Sequence, residues 1–515
     1  MPRRRTRFVV ILLVVTTFVF LASRFAVIHH PVPHLSATGP ADPRATSCTE
    51  QLNWLEQYQF SSPFEYVSRD IIVRPRDGAG RAPLTVIDEP LFEATSWANL
   101  AESKTLNIER CLPPLELEVS HGAMVSVDAS NMIFGLQTTI GRLRDTVKHL
   151  ERWLPRTGAR LYAVVIDSRD GKEVPADDNE MQELEKSMRD AGIEASVVHP
   201  LDTTDSFAQR YFSIVKVLYN ARDDKTQWMI CIDDDTFFPS MNDLQDMLKE
   251  HNPQKPQYLG NLSEDWWAVD HYGLMAFGGA GVILSMPMVK IVIEHYEECK
   301  QRPRTTAGDV TLMDCIYRFS STKLTPIPGL HQIDLHGDLS GFYESGREML
   351  SVHHWKEGSG IGSKLEMEKM HMIADICDNC FLQRWQFPHG FVLSNGFSIA
   401  SYPEGQLTLG GVSSVADTVD FGLMEKTWSD DMRVEHSLAP IRPALDKYQK
   451  VSYKLLDSIS VNGEDFGAPG EKVVRQIYVK EGSEAEGRHS VMVLNWVRRP
   501  SQKLTGDDHE ANSPL

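Results

Sequence analysis

The sequence predicts an α/β fold with an open and mainly parallel sheet. From about residue 119, short apolar runs typical of buried strands alternate with amphipathic stretches of helical periodicity. The connections between the apolar runs are long enough for helical crossovers, which join parallel strands. Ligands of such sheets bind beyond the carboxyl ends of the strands, so we expect functional residues to follow the strands directly.

Four strands and six helices are expected between residues 131 and 319. The strands are predicted at residues 131–137, 160–167, 193–199 and 228–232. The helices are predicted at residues 140–153, 180–191, 206–221, 241–249, 286–299 and 310–319. Ser240 and Ser285 directly precede two of these helices and are expected to act as N-caps.

The N-terminus carries a membrane-targeting pattern. Four arginines within the first seven residues precede an uncharged apolar run. The positive-inside rule keeps the arginines cytosolic and sends the following chain across the membrane. We therefore expect a cytosolic tail at 1–7, a single transmembrane signal anchor at 8–28 and a flexible stem at 29–47. A cleaved secretory peptide is the alternative, because the run is shorter than the roughly 20 residues of a typical span.

Four units are expected after the stem. Residues 48–118 mix aromatic side chains with Pro and Gly, and we expect them to form a small N-terminal lumenal subdomain packed on the next domain. The α/β domain is predicted at 119–364. A β-rich C-terminal extension at 365–500 is indicated by short apolar runs separated by Gly, Ser and Pro, and a polar, disordered tail follows at 501–515.

The chain has seven cysteines, and an oxidising lumen would pair all but one of them. Cys231 is expected to be unpaired, because it lies inside the apolar run of a buried strand. The predicted disulfides are Cys48–Cys111, Cys299–Cys315 and Cys377–Cys380. A zinc site at the last pair is the weaker alternative, because the spacing fits no standard zinc finger.

Charge and missing motifs exclude several functions. The 71 acidic and 52 basic residues give a net charge of −19, which repels phosphate backbones, so we expect no nucleic-acid partner. The sequence contains neither a G-x-G-x-x-G fingerprint nor a P-loop, which disfavours dinucleotide-dependent oxidoreductases and nucleoside triphosphatases.

The clearest chemical feature is Asp233, Asp234 and Asp235, three carboxylates that follow a buried strand. Adjacent carboxylates repel one another and raise each other's pKa unless a cation neutralises them. Hard oxygen ligands favour Mn²⁺ or Mg²⁺. The sequence therefore predicts a divalent metal site, and a solvated loop at the strand end is the alternative.

A segment of small residues, Gly278, Gly279, Ala280 and Gly281, opens onto a second apolar run. Small residues let the backbone approach a ligand closely. A tight turn into a buried strand explains the segment equally well.

These features occur in an order that resembles the fringe-like β-1,3-glycosyltransferases over about residues 125–360. The acidic cluster and the small segment are followed by Gly308 and Asp309 at a helix start, and then by Ser-Val-His-His-Trp at 351–355. The fungal and plant branch of the family is the most similar, and its C-terminal extension matches Asn-Gly-Phe-Ser-Ile at 395–399. The resemblance implies a GT-A (Rossmann-like) nucleotide-sugar-binding sheet, a type II Golgi membrane anchor, a UDP-sugar donor and Mn²⁺ or another divalent cation.

The resemblance also implies roles for individual residues. Asp233, Asp235 and His353 would bind the metal, with His354 as the alternative ligand. Asp309 would be the catalytic base, although Gly308 stands where many relatives have a second acid. Donor binding is assigned to Asp233, Asp234 and the small segment of Gly278, Gly279, Ala280 and Gly281.

The implied reaction is the inverting, Mn²⁺-dependent transfer of a sugar to a hydroxyl of a glycan, glycoprotein or glycolipid, with a β-1,3 linkage. The alternatives are a catalytically weakened binding protein of the same fold and a metal-dependent lumenal hydrolase. Trp266, Trp267, His271 and Tyr272 are candidate walls of a sugar site, or else they pack in the core. If Asp309 is only a helix cap, the next candidate bases are Glu264, Asp265 and Asp314.

Overall fold

The structure is a computed structural model of the 515-residue chain. It describes residues 42–61, 63–76, 81–120, 127–301, 303–356, 365–377, 379–402, 407–408, 419–429, 437–446, 449–466, 469–480 and 489–498. The predicted tail at 1–7, anchor at 8–28, most of the stem at 29–47 and the tail at 501–515 lie outside the described residues. Within the described ranges, no helix has the length and apolar character needed to cross a bilayer.

The N-terminal segment is built from strands and one 3₁₀ helix at Asn53–Tyr58. Its strands are β1 (Thr46–Gln51), β2 (Phe64–Arg76), β3 (Thr85–Val86), β4 (Ser96–Ala98), β5 (Thr105–Cys111) and β6 (Leu115–Ser120). Strands β1 and β5 form a separate two-stranded ribbon, and the predicted Cys48–Cys111 disulfide joins them.

The central region alternates strands and helices as predicted. Its strands are β7 (Met132–Thr139), β8 (Arg160–Arg169), β9 (Lys172–Pro175), β10 (Glu194–Val198), β11 (Trp228–Cys231), β12 (Tyr258–Gly260), β13 (Val282–Ser285), β14 (Thr325–Pro326), β15 (Leu330–His331) and β16 (Ser351–Val352). Its helices are α1 (Ile140–Leu150), α2 (Asp178–Asp190), α3 (Phe207–Ala221), α4 (Met241–Lys249), α5 (Trp266–Tyr272), α6 (Met286–Glu294), α7 (Tyr296–Lys300), α8 (Gly308–Phe319) and α9 (Ser340–Tyr343).

The central sheet has the strand order β10-β8-β7-β11-β13-β12-β14, with β9 paired to β8. Strands β10, β8, β7 and β11 are parallel, as predicted. Strand β13 is antiparallel to both β11 and β12, so the sheet is mixed. Successive residues of β11 enter different cores: Ile230 lies in one apolar layer, and Met229 and Cys231 lie in the other. Burial on both faces explains why this strand shows no apolar–polar alternation.

Two helix details differ from the predictions. The helix expected at 286–299 is divided at His295 into α6 and α7. Ser240 caps α4 by accepting a hydrogen bond from the Asp243 backbone N–H, as expected. Ser285 makes no such cap, because its hydroxyl donates to the Lys255 carbonyl, and α6 instead has a proline in its first turn, where a missing N–H costs nothing.

The C-terminal segment is rich in short strands, as predicted. Helices α10 (Met367–Met370) and α11 (Ala374–Cys377) and 3₁₀ turns at His371–Ile373, Pro388–Gly390 and Gly463–Phe466 accompany the strands. The strands are β17 (Arg384–Gln386), β18 (Phe391–Ser394), β19 (Ser398–Ser401), β20 (Leu407–Thr408), β21 (Val419–Asp420), β22 (Met424–Lys426), β23 (Ile441–Pro443), β24 (Val451–Asn462), β25 (Lys472–Lys480) and β26 (Ser490–Arg498).

A second large sheet joins the two segments that the sequence pattern separates. Its order is β3-β17-β18-β19-β24-β25-β26-β2-β4, and β6 also pairs with β2. Strand β2 pairs in parallel with β26 from Glu65 to Val73. Strand β2 pairs with β26 along one edge and with β4 and β6 along the other. Residues 48–118 therefore contribute strands to the C-terminal sheet and do not form the separate layer that the sequence predicted.

All three predicted disulfides are present in the structure. Cys231 is unpaired and buried on β11, also as predicted. The Cys377–Cys380 disulfide excludes those two thiols as zinc ligands.

Candidate active site

The acidic cluster lies at the carboxyl end of β11, where the parallel-sheet rule places a ligand site. A backbone bridge brings a distant segment to it: the N–H of Phe237 donates to the Val352 carbonyl and the N–H of Val352 donates back, each at 2.9 Å. His353 follows this bridge and therefore lies beside the acidic cluster.

His353 faces two of the three carboxylates. Its Nε2 atom lies 3.0 Å from Oδ1 of Asp235 and 3.4 Å from Oδ2 of Asp233. Its Nδ1 atom lies 3.2 Å from the Gln332 carbonyl oxygen, to which a protonated Nδ1 donates. Asp235 and His353 are buried, whereas the Asp233 side chain is 36% exposed.

Burial and pairing oppose each other in this contact. Burial lowers the pKa of His353, but the carboxylates of Asp233 and Asp235 raise it well above its ordinary value. Burial raises the pKa of Asp235, but its hydrogen bond to His353 and the nearby positive charge bring it down to about 2. Pairing with the two carboxylates therefore favours the protonated imidazole.

The donor set also fits a divalent cation. Neighbouring ligands of an octahedral ion with bonds of roughly 2.1 Å lie about 3 Å apart, close to the two contacts of His353. The carbonyl partner of Nδ1 is the usual arrangement for an imidazole that binds metal through Nε2. In the part of the chain that the structure describes, no group of three or more His, Cys, Asp or Glu side chains forms a ready-made metal centre. A cation would have to replace the proton on Nε2.

Asp234 is held by the protein. Its carboxylate accepts two hydrogen bonds from the Arg142 guanidinium, both at 2.6 Å, and a third from the Thr138 hydroxyl. Its backbone carbonyl accepts a bond from Thr146 at 3.0 Å. These contacts fix the acidic loop to β7 and α1. The Asp234 carboxylate, which the sequence analysis assigned to binding of the sugar donor, is therefore already bonded to Arg142 and Thr138.

The small segment forms a 3₁₀ turn at Gly278–Ala280 that leads into buried β13. A Cβ on Gly279 would lie 2.2 Å from the His353 ring, and one on Gly278 would lie 2.7 Å from the Tyr211 hydroxyl. Gly281 has a φ of +104°, which favours glycine. The four residues are buried, and their small size makes room for the side chains of Tyr211 and His353. This arrangement agrees with the second interpretation of the segment, a tight turn into a buried strand.

Asp309 lies in the first turn of α8, one residue inside the helix, and Ala307 holds the N-cap position. Its Oδ2 accepts the Gly278 N–H at 2.9 Å and its Oδ1 accepts the Val310 N–H at 2.8 Å. Burial raises the pKa of Asp309 to about 6; the Gly278 N–H lowers it and the charge of Asp233 raises it. Asp309 is therefore mostly ionised at pH 7 yet able to take up a proton.

A steric constraint explains why residue 308 is glycine and not a second acid. A Cβ at this position would lie 2.3 Å from Cβ of Tyr211. Tyr211 is itself buried, and its hydroxyl has no hydrogen-bond partner. No second acid fits beside Asp309 while Tyr211 occupies this place.

A cleft of about 300 Å³ opens over the acidic loop. Its wall combines the three aspartates, His353 and His354 with Gln137 and Thr138, which lie at the end of the first predicted strand of the nucleotide-binding sheet. It also includes residues that the sequence analysis did not assign to the site: Thr139, Arg142, Val164, Ile166, Glu173 and Phe207. Arg210 also lines the cleft and pairs with Glu173 at 2.6 and 2.7 Å. The positions of Thr139 at the carboxyl end of β7, Ile166 in the second half of β8 and Phe207 at the start of α3 are the signal that could have identified them. Arg142 on α1 and Glu173 on β9 carried no such signal.

The other candidate acids have structural partners. Glu264 contacts Nδ1 of His331 at 3.0 Å and accepts the Ile333 N–H at 2.7 Å. Asp265 caps α5 through the Trp267 N–H, and Asp314 pairs with Arg304 at 3.1 Å.

The predicted aromatic walls lie on α5. Trp266 and Trp267 are 44% and 56% exposed, and the Trp267 ring stacks on His271 with 4.8 Å between centroids. The Tyr272 ring contacts Phe277, the residue before the small segment. The two tryptophans are therefore surface side chains rather than core.

Comparison with known proteins gives partial matches. A family described as "Protein of unknown function, DUF604" matches residues 269–379, which include Asp309 and His353. Chondroitin sulfate synthase 3 of Homo sapiens is 29% identical over 125 residues, and that of Mus musculus is 28% identical over 121 residues. Each match covers 22% of this chain and 14% of the relative. The matches support a glycosyltransferase.

Solved structures with some likeness are also glycosyltransferases. One is a mannosyltransferase from Pyrobaculum calidifontis in complex with GDP-Man and Mn²⁺, with 10% identity, a TM-score of 0.27, and coverage of 38% of this chain and 55% of the other. A second is a glycosyltransferase involved in glycosylation of the major capsid of PBCV-1, with 13% identity, a TM-score of 0.25, and coverage of 46% and 98%. The α/β assignment rests on the strand order of the central sheet and not on these likenesses.

Proposed function

We propose that this chain is an inverting, divalent-metal-dependent glycosyltransferase of the fringe-like type with a GT-A sheet. It transfers a sugar from a UDP-sugar to a hydroxyl of a glycan, glycoprotein or glycolipid, with a β-1,3 linkage. The observation that carries the proposal is the convergence of Asp233 and Asp235 on Nε2 of His353, at the carboxyl edge of the sheet. The partial match to chondroitin sulfate synthase 3 supports the same class.

The metal site in this proposal consists of Asp233, Asp235 and His353. A bound Mn²⁺ would act as a Lewis acid that stabilises the negative charge developing on the leaving diphosphate. The Gln332 carbonyl holds Nδ1 of His353 and so directs Nε2 at the carboxylates. Thr236 connects the acidic loop to the small segment, because its hydroxyl donates a hydrogen bond to the Gly279 carbonyl at 2.9 Å.

Asp309 is the proposed general base. It takes the proton of the acceptor hydroxyl while that oxygen forms a bond to the anomeric carbon. The bond from the anomeric carbon to the phosphate oxygen breaks, and the nucleoside diphosphate leaves with the electron pair. A single displacement of this kind inverts the anomeric configuration. The pKa of about 6 suits the role, because the carboxylate is ionised at neutral pH and still basic enough to bind the proton.

The aromatic side of α5 is the proposed acceptor surface. Helix α5 packs on α8 through a small apolar core that includes Val269, Phe277 and Val310. Val310 is next to Asp309, so the exposed tryptophans of α5 belong to the same structural unit as the proposed base. Flat aromatic faces suit the C–H surface of a pyranose.

Type II Golgi residence is the proposed location. The cluster of N-terminal arginines before an apolar run supports it, as do the three disulfides, which form in oxidising compartments. Protease protection of the full chain in sealed microsomes tests this point. Digestion of the Cys48 region from the outside would contradict it.

A product assay tests the activity. The full chain is incubated with UDP-galactose, UDP-N-acetylglucosamine or UDP-glucose, with or without acceptor oligosaccharides, in Mn²⁺ or EDTA. We expect UDP release that requires Mn²⁺ and rises with one acceptor, together with a product heavier by one sugar. Release of free sugar regardless of acceptor would identify a hydrolase, and binding without release would identify a binding protein.

A further inference from the structure

A second cavity lies in the N-terminal segment, on the other large sheet. Its volume is about 800 Å³, and its wall comes from the β1–β5 ribbon, the middle of β2 and parts of β26. The edge of β2 is incomplete at this point: β4 pairs with Phe64 to Tyr66, and β6 pairs only from Ile71 onward. The cavity lies opposite residues 67–70, in the gap between these two partners.

Arg69 is buried in this wall without a hydrogen bond. Its side chain is 1% exposed, and Nε, Nη1 and Nη2 all have no partner. The nearest carboxylate oxygen, of Glu89, is 4.0 Å from Nη2. Burial lowers the pKa of Arg69 to about 10, so the group stays charged at neutral pH. A buried charge without a partner is costly, and proteins usually pair such a group.

The other cationic side chains of the wall are paired. Arg44 contacts Asp42 at 2.7 Å and Glu89 at 2.9 Å, and Arg110 forms an ion pair with Glu93. Arg475 donates to Asn495 at 2.8 Å and lies over the Trp54 ring at 4.2 Å. Among the described residues that line this cavity, Arg69 is therefore the one cation whose donors are unused.

The acidic residues of the wall do not supply the missing partner. Glu50 accepts hydrogen bonds from Tyr66, at 2.6 Å, and Ser68, and Asp70 accepts one from Asn495 at 2.9 Å. Glu93 adds a further unused group, because its Oε2 is buried without a donor. The wall thus offers three unused N–H donor atoms on a cation and one unused acceptor.

We propose that this cavity binds an oxyanion group, a carboxylate, sulfate or phosphate, through the guanidinium of Arg69. A planar guanidinium matches such anions with two parallel hydrogen bonds. The unused Oε2 of Glu93 suits a hydroxyl on the same ligand. An acidic sugar carries both an oxyanion and hydroxyl groups, whereas a free inorganic anion uses only Arg69. The site lies outside the proposed catalytic centre and does not depend on sugar transfer.

Calorimetric titration of the full chain with glucuronate, inorganic sulfate and inorganic phosphate tests the proposal. Sodium chloride at matched ionic strength and neutral glucose are the controls. Arg69→Met removes the charge, and Arg74→Met is the matched control, because Arg74 lies on the same strand with an exposed side chain paired to Glu116. Arg69→Lys serves as a second variant that keeps the charge but loses the planar fork.

We expect saturable binding of at least one anion to the wild type and Arg74→Met, weakened 10-fold or more in Arg69→Met and about 3- to 10-fold in Arg69→Lys. Preference for glucuronate identifies an acidic sugar as the source of the anion, and equal or tighter binding of sulfate or phosphate identifies a free anion. Absence of saturable binding to the wild type, or unchanged binding in both Arg69 variants, overturns the proposal.

Discussion

Nε2 of His353 lies 3.0 Å from Oδ1 of Asp235, and this contact joins the turn after β11 to the turn after β16. Neither turn alone brings the two side chains together. The backbone bridge between Phe237 and Val352 sets the distance, so the geometry of the proposed metal site depends on strand pairing.

Mn²⁺ should stabilise the folded chain through this pair. At a concentration 100 times its Kd, a ligand of the native state adds about 2.7 kcal/mol to the free energy of unfolding. Asp235→Asn should abolish the Mn²⁺-dependent rise in Tm, whereas Asp246→Asn, on the exposed face of α4, should retain it. Thermal shift with Mn²⁺ and with EDTA measures both. Identical melting curves for the wild type, with full activity in EDTA, would rule out the metal site.

Asp309→Asn should separate chemistry from folding. Asn keeps one acceptor oxygen, so one of the two N–H bonds from Gly278 and Val310 is lost, at a cost of about 1 kcal/mol. Loss of the base should reduce sugar transfer about 10²-fold or more, while Mn²⁺ and UDP binding stay near the wild-type level. Asp314→Asn, on the same helix, is the control. A variant that transfers at the wild-type rate would mean that another group is the base.

Transfer should depend on pH through Asp309. Its pKa is raised to about 6, so kcat/KM should fall as the pH drops below about 6, where the base becomes protonated. The free energy of unfolding should show the opposite pH dependence and decrease as the pH rises. A carboxyl whose pKa is higher in the folded chain destabilises the fold as the pH rises from about 4 to 6. Denaturant unfolding of the wild type and Asp309→Asn across this range should show that the stability of the wild type, relative to the variant, declines as the pH rises.

Gly279→Ala should disturb the metal site without replacing any of its three proposed ligands. The added methyl would lie 2.2 Å from the His353 ring, so the ring must shift from its present position beside Asp235. We expect Mn²⁺ affinity to fall 10-fold or more, in proportion to the loss of transfer. Gly141→Ala is the matched control, because its Cβ meets nothing within 4 Å and the residue lies in α1, where alanine stabilises by up to about 1 kcal/mol. Equal Mn²⁺ binding by both variants would contradict this role for Gly279.

Local pattern was enough to predict β7, β8, β10 and β11, four of the eight strands described in the central sheet. The strand before the acidic cluster has apolar side chains on both faces and is followed by charge, and α4 begins at a serine that caps it. Cys231 could be identified as the unpaired cysteine because it lies inside an apolar run. These signals lie within a few residues of the element that they predict.

The remaining features depend on contacts between distant segments. Asp234 resembles its two neighbours in the sequence, and only the position of Arg142 on α1 shows that its carboxylate is engaged. The small segment is explained by Tyr211 and His353, which approach it from two other parts of the chain. The pairing of β2 with β26 leaves no local trace, so the N-terminal and C-terminal segments were predicted as separate units.

The parallel pairing of β2 with β26 has a consequence for biosynthesis. During translation, the 13-residue strand β2 leaves the ribosome long before its partner β26 at Ser490–Arg498. One edge of β2 therefore stays unpaired while the central domain is synthesised. Unpaired strand edges are where nascent chains aggregate or recruit chaperones. A premature stop before residue 490 would therefore leave the central α/β domain attached to a sheet in which β2 has an open edge.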